Sequence, residues 1–207
     1  MTLLGAAPTH FRHVKQALNL APILVAADGG ADTALAGGVV PDAVIGDTDS
    51  LSEAAERAIA PAQRHHIAEQ DSTDFDKCLR SIDAPAILAV GFTGGRLDHQ
   101  LAACASLVRF PEKRVFMISE EDVCFLCPRD LTLELPFGTR FSLFPMGEAR
   151  GTSVGLAYPI DGLVLSPSGQ VGTSNEVTGP VRLQLETHNV LAIVPRACLE
   201  VLLDALT

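Results

Sequence analysis

The chain has no tryptophan, one tyrosine and only three lysines (Lys15, Lys77 and Lys113) in 207 residues. So few lysines at a net charge of −10 exclude a surface that tracks a nucleic-acid backbone. No apolar run approaches the roughly 18 residues of a membrane span, so no membrane association is expected. Met1–His10 has no basic stretch ahead of Leu3-Leu4, which predicts no secretory leader and a cytoplasmic location. Five cysteines make an odd number without small-scaffold spacing, so reduced thiols are expected rather than a disulfide framework. Cys124-Phe-Leu-Cys127 has two of the four ligands zinc requires and lies in an apolar run, so both are read as small core residues. The chain also lacks a Gly-Lys pair for a Walker loop, a G-x-G-x-x-G fingerprint and an EF-hand ligand series. Apolar residues, by contrast, are plentiful: 47% against 19% charged, ample for a buried core.

Two textures divide the chain. Up to about residue 120, short apolar runs at 23–27, 43–45, 86–90 and 115–118 read as fully buried strands. Between them, Phe75, Cys78, Leu79 and Ile82, and then Leu97, Leu101, Ala105 and Val108, recur with helical spacing. Ser50-Leu-Ser-Glu53 has capping-box spacing, with Pro61 closing the helix it would start. Strands alternating with helices predict a parallel, Rossmann-like α/β/α domain. Beyond residue 121 the helical period is replaced by short strands at 131–135, 140–144, 162–165, 181–186 and 190–194. Pro136-Phe-Gly138, Ser166-Pro-Ser-Gly169 and Thr178-Gly-Pro180 punctuate them, which predicts an antiparallel β-sandwich or barrel. The expected domains are 1–122 and 123–207.

The negative charge is local. From Asp42 to Asp98 there are eleven carboxylates against five Lys or Arg. Several follow predicted strands, and ligands of open α/β sheets bind at strand carboxyl ends. In Gly46-Asp47-Thr48-Asp49-Ser50, alternate carboxylates on extended backbone can share a hard cation, although Asp and Ser also serve as ordinary turn residues. Asp71 and Asp74 open a helix, where capping by at least one of them is the plainer reading. Gly91-Phe-Thr93-Gly94-Gly95-Arg96 is a small-residue loop whose backbone N–H groups can approach phosphate, with Arg96 as a forked cation. Asp28-Gly29-Gly30 forms a second such loop. Phosphate beside bare carboxylates is repelled at roughly 4 kcal/mol per pair at 4 Å, so a divalent cation is required. Oxygen-only ligands point to Mg²⁺ with a nucleotide or polyphosphate.

Asp28-Gly-Gly-Ala31, Pro41–Ser50, Asp71-Ser-Thr-Asp74, Gly94-Gly-Arg-Leu-Asp-His99, Gly155-Leu-Ala-Tyr-Pro159 and Gly172-Thr-Ser-Asn-Glu176, in this order, resemble the thiamine pyrophosphokinase family. The resemblance implies transfer of diphosphate from ATP to the hydroxyl of thiamine, giving thiamine diphosphate and AMP. It also implies a homodimer with the site near the subunit interface. Carried over by motif, Asp47, Asp49, Asp74 and Asp98 correspond to metal-binding and catalytic carboxylates, with Arg96 also catalytic. Asp28, Gly29, Gly30, Gln70, Asp71, Thr73, Thr93, Gly94, Gly95 and Arg96 correspond to the ATP cradle, and Thr173, Ser174 and Asn175 to thiamine contacts. Gln70 stands where many bacterial members carry Lys, and Ala103 where many carry Asn. Asp98 is left open between metal ligand, orienting group and base, and Arg96 has the plainer alternative of a surface pair with Asp98. Another Mg²⁺-dependent phosphoryl or nucleotidyl transferase, or a non-catalytic thiamine or nucleotide sensor, would use a similar framework.

Overall fold

The computed structural model describes residues 1–207. The chain forms two compact units, Met1–Ser106 with Val115–Glu120, and Leu107–Arg114 with Glu121–Thr207. No helix is long and apolar enough to cross a membrane.

In the first unit the elements run β1 (Thr2–Leu4), α1 (Phe11–Leu20), β2 (Leu24–Ala27), α2 (Gly30–Ala36), β3 (Ala43–Gly46), α3 (Glu53–Ala58), β4 (Arg64–His66), α4 (Asp74–Ser81), β5 (Ile87–Val90), α5 (Leu97–Arg109) and β6 (Val115–Ile118). All six strands are parallel, in the order β6-β5-β1-β2-β3-β4. The chain runs outward from β1 to β4, then restarts on the other side at β5, so the topological switch falls between β1 and β5. There Gly5 and Gly91 meet: a Cβ on Gly5 would lie 2.4 Å from the Gly91 carbonyl oxygen, and Gly91 has φ +77°. Only glycine permits that approach and that dihedral together.

The apolar runs at 23–27, 43–45, 86–90 and 115–118 are strands as expected. β1, β4 and α1 were not legible. β1 is only three residues long yet central, and Thr2 hides its hydroxyl by donating to the Ala21 carbonyl at 2.7 Å. Helix α1 buries a mixed face of His13, Val14 and Ala17, with a histidine where an apolar residue would mark the helical period. The α3 cap is Ser52 rather than Ser50. Its Oγ accepts from Ala55 N–H at 3.1 Å, and its own N–H donates to Asp32 at 3.2 Å. Pro61 opens a 3₁₀ turn at Pro61–Gln63. Thr73 caps α4 in a reciprocal box with Asp76, so neither Asp71 nor Asp74 serves as its cap.

The second unit contains β7 (Asp122–Leu126), β8 (Asp130–Leu133), β9 (Arg140–Pro145), β10 (Gly151–Leu156), β11 (Gly172–Leu185), β12 (Val190–Pro195) and α6 (Leu199–Leu206). One antiparallel sheet runs β7-β12-β9-β11; the carboxyl half of β11 pairs instead with β8 and β10. Thr178-Gly-Pro180 therefore does not break a strand; it sits inside β11 where the pairing changes. Opposite it, Gly155 has φ +80° and a Cβ there would lie 2.2 Å from the Pro180 carbonyl oxygen. Such an irregularity is where a strand tolerates proline. The expected strand at 162–165 does not form: the segment leaves a turn at Gly162 and runs irregularly to Leu165. Gly162 has φ +75°, and only Leu165 makes single bridges, to Ala149 and Gln170. Cys124, Cys127 and Cys198 are buried, and burial pushes the Cys127 thiol up to about 12, as inert core residues require.

Candidate active site

Parallel pairing of β2 with β3 sets Asp28 beside Gly46, and the Asp28 N–H donates to the Ile45 carbonyl at 3.0 Å. One carboxylate oxygen from each of Asp28, Asp47 and Asp49 lies within 4.8 Å of the others. Asp28 is 5% exposed, and its Oδ1 has no hydrogen-bond partner. Gly46 is enclosed by Asp28 and Asp74: a Cβ would meet Asp28 Cβ at 2.8 Å and Asp74 Oδ1 at 3.3 Å. An orphaned buried carboxylate oxygen in an all-oxygen cluster fits a hard divalent cation. Asp47 and Asp49 do not converge on extended backbone as expected. Thr48 between them has φ +60°, uncommon for a β-branched residue and costing about 1–3 kcal/mol. Its hydroxyl lies 3.2 Å from His66 Nδ1.

Sequence reasoning missed two features of this cluster. Asp28 belongs with the Asp47 and Asp49 carboxylates and not only with a glycine loop; the adjacency of β2 and β3, once known, reveals it. Lys77 is the other. Its ammonium, 2% exposed, donates to Asp74 Oδ1 at 3.0 Å and Asp47 Oδ2 at 3.2 Å. Gln70 Nε2 donates to the same Asp47 oxygen at 3.0 Å.

The titration of these groups follows their neighbours. Burial pushes the Asp28 pKa up; a hydrogen bond with Ser50 opposes this, and the Asp74 and Asp47 carboxylates add to the rise. Burial also acts on Asp47, but the hydrogen bonds from Lys77 and Gln70 outweigh it and hold its pKa below the usual value. For Lys77, burial disfavours the charged form, yet the bonds to Asp74 and Asp47 prevail and raise its pKa.

The other expected residues lie outside the carboxylate cluster. Arg96 and Asp98 form an exposed two-bond pair, Nε to Oδ1 at 3.1 Å and Nη2 to Oδ2 at 2.6 Å. Asp98 also accepts from His99 N–H at 3.0 Å. The Arg96 bond lowers the Asp98 pKa, and Asp98 raises that of Arg96. The surface pair weighed for Arg96 is thus what the structure contains. Gly94 has φ +78° and donates to Gln100 Oε1 at 3.1 Å, while Gly95 packs against Ala7 and Pro8. The loop bearing Gln70, Asp71 and Thr73 is stapled by Glu69, which accepts from Asp71 N–H at 2.9 Å, from Ser72 Oγ and from Arg80. In the second unit, Thr173 and Ser174 are exposed, with Ser174 at φ +61°. Asn175 is buried: its Oδ1 accepts from Tyr158 N–H at 3.0 Å, and its Nδ2 donates to the Tyr158 carbonyl at 2.6 Å. A cleft of about 500 Å³ in that unit is lined by Arg129, Arg150, Gln184 and Glu186, and by none of the expected residues. Its cations are already engaged, Arg129 with the Leu185 carbonyl and Arg150 with Glu148, both at 3.2 Å.

A six-stranded parallel unit with an oxygen-only cluster at its strand ends, followed by an antiparallel unit, defines a two-unit α/β-plus-β protein whose polar groups gather where such sheets bind ligands. The chain belongs to the thiamin pyrophosphokinase family. Residues 14–118 match that family's catalytic domain, and residues 127–190 match its vitamin B1 binding domain. It is 30% identical over 156 residues to thiamine pyrophosphokinase 3 of Oryza sativa subsp. japonica, covering 66% of this chain and 58% of the rice protein. The Bacillus subtilis thiamine pyrophosphokinase is 28% identical, with 74% and 77% covered. The chain thus spans less than two thirds of the rice relative's length. Among solved structures, thiamin pyrophosphokinase from Candida albicans has a TM-score of 0.77 at 18% identity, covering 94% of this chain and 88% of that one, a likeness of fold.

Proposed function

We propose that this protein transfers a diphosphate group from ATP to the hydroxyl of thiamine, releasing AMP. The observation that carries this reading is the Asp28–Asp47–Asp49 cluster, with its orphaned Asp28 oxygen, inside the segment that matches the family's catalytic domain. In the reaction the thiamine oxygen forms a bond to the β-phosphorus, the bond from that phosphorus to the α,β-bridging oxygen breaks, and the hydroxyl proton is lost. Asp28, Asp47 and Asp49 would hold Mg²⁺, with Asp74 alongside. Bound there, the ion supplies charge neutralisation for the phosphoryl oxygens. Gly29, Gly30, Thr93, Gly94 and Gly95 present backbone to the nucleotide at the carboxyl ends of the strands, and Gln70, Asp71 and Thr73 flank it. Arg96 binds phosphate oxygens. Asp98, bonded to it through two N–H groups, is the positioning residue that aims the guanidinium. Thr173 and Ser174 contact thiamine, while Asn175 holds their strand against the Tyr158 backbone.

We read residues 1–122 as the ATP- and Mg²⁺-binding domain, Rossmann-like in kind, and 123–207 as a thiamine-binding β-sandwich formed by the two sheets that share β11. A cytoplasmic homodimer completes this reading. Exposed Phe137, Val154 and Tyr158 offer apolar surface for association. Incubation with ATP, Mg²⁺ and thiamine, followed by product identification, tests the proposal. Thiamine diphosphate with stoichiometric AMP is expected. ADP as co-product would mark a different phosphoryl transferase, and ligand binding without turnover would mark a sensor; either result overturns the assignment.

A further inference from the structure

Lys77 is the most deeply buried cation at the acidic site, and its placement is costly without a purpose. An ammonium that is 2% exposed must be paired, because lysine is almost never fully buried otherwise. It emerges from the inward face of α4 beside Phe75, Cys78 and Leu79, on the helix that packs against β3 and β2. The stem lies in the core and the charge ends beneath the carboxylates. The two oxygens it bonds are not idle structural groups. Asp47 belongs to the three-carboxylate cluster, and Asp74 Oδ1 borders Gly46 at its base. Asp47 Oδ2 is further committed to Gln70, so Lys77 and Gln70 together fix which oxygen Asp47 has left to offer.

We propose that Lys77 is a tethered counter-cation. It compensates Asp47 and Asp74 before metal arrives, holds Asp47 oriented, and keeps the site's affinity for a bare divalent ion low. Metal and nucleotide are then taken up together, because phosphate charge offsets the ammonium that opposes the ion. The coupling is reciprocal: whatever the fixed charge costs the metal, the metal costs the bonds of Lys77. This inference rests on the reading of the carboxylates as a divalent-ion site, but it is read out without turnover.

The test is titration of the full-length protein with Mn²⁺ alone, followed by spin resonance or calorimetry, and repeated with the non-cleavable analogue α,β-methylene-ATP. Lys77→Met should bind bare Mn²⁺ about tenfold or more tightly than wild type, with a smaller gain on adding the analogue. Lys77→Arg keeps the charge and should restore the wild-type pattern. If Lys77→Met folds only when Mn²⁺ is present during refolding, the ion has replaced the missing cation, and the proposal stands. If Lys77→Met does not fold even then, Lys77→Gln carries the same comparison. Bare-metal affinity unchanged or weakened in the neutral variants overturns the counter-cation role, even while wild type makes thiamine diphosphate. A wild type that binds no Mn²⁺ with or without the analogue overturns this role and the metal-site reading together.

Discussion

Replacing Asp28 by Asn should make the metal-free protein more stable while removing its metal-dependent turnover. Asp28 is 5% exposed, has an unbonded oxygen, and shares a 4.8 Å neighbourhood with Asp47 and Asp49. At 4.8 Å and an effective dielectric of 20, one like-charge pair costs roughly 3.5 kcal/mol. Solvent screening at exposed Asp49 and the raised pKa of Asp28 reduce the relief to about 1–2 kcal/mol. The backbone need not move, because φ +40° at this position suits asparagine. For a chain of this length the gain corresponds to a rise in Tm of about 2–8 °C. The assay is a pair of melting curves for each protein, in EDTA and in Mg²⁺, with turnover measured in parallel. Mg²⁺ should raise the wild-type Tm more than that of the variant. Turnover should fall by at least about 100-fold, since groups that only touch a metal ligand already carry about 10- to 100-fold. A variant that melts below wild type in EDTA, or that retains near-normal turnover, refutes the electrostatic account of the cluster.

Two further perturbations probe the supporting structure. Glu69 is held down to about 2 by hydrogen bonds from Ser72 and Arg80 against an ordinary value of 4.5, so its stabilising contribution is complete above pH 4.5 and is lost as pH falls towards 2. Glu69→Gln should therefore be less stable than wild type near neutrality, with the gap closing across that acid window; a pH-independent gap in denaturant titrations would count against the staple. Asn175→Ala strands the Tyr158 N–H and carbonyl and the Glu176 N–H, and should cost about 2–4 kcal/mol in urea unfolding. A cost near zero would mean that the Asn175 amide does not brace its strand.

Much of the fold was legible because its signals are local. Buried strands such as Ile87–Val90 are short apolar runs, and α4 and α5 repeat apolar residues at helical spacing. Elements whose stability comes from neighbours were not. β1 is three residues wedged between β2 and β5, and β4 is a polar edge strand, Arg64-His65-His66. His13 is buried beside Glu120 because α1 packs that face inward. β11 runs unbroken through Gly179-Pro180 because its partners change there, which no local pattern records.

For the candidate site the division is similar. Sequence alone determined which chemistry was available: carboxylates concentrated between Asp42 and Asp98, glycine loops after strands, and too few lysines to bind phosphate without a metal. Motif order was enough to point to the family. Only the tertiary structure decided which carboxylates meet. It joined Asp28 to Asp47 and Asp49 through the pairing of β2 with β3, turned Asp98 to Arg96, and brought Lys77 under Asp47 from 30 residues away. The physical reason is that composition sets the charge supply of a chain, whereas strand order and burial set the distances through which those charges act.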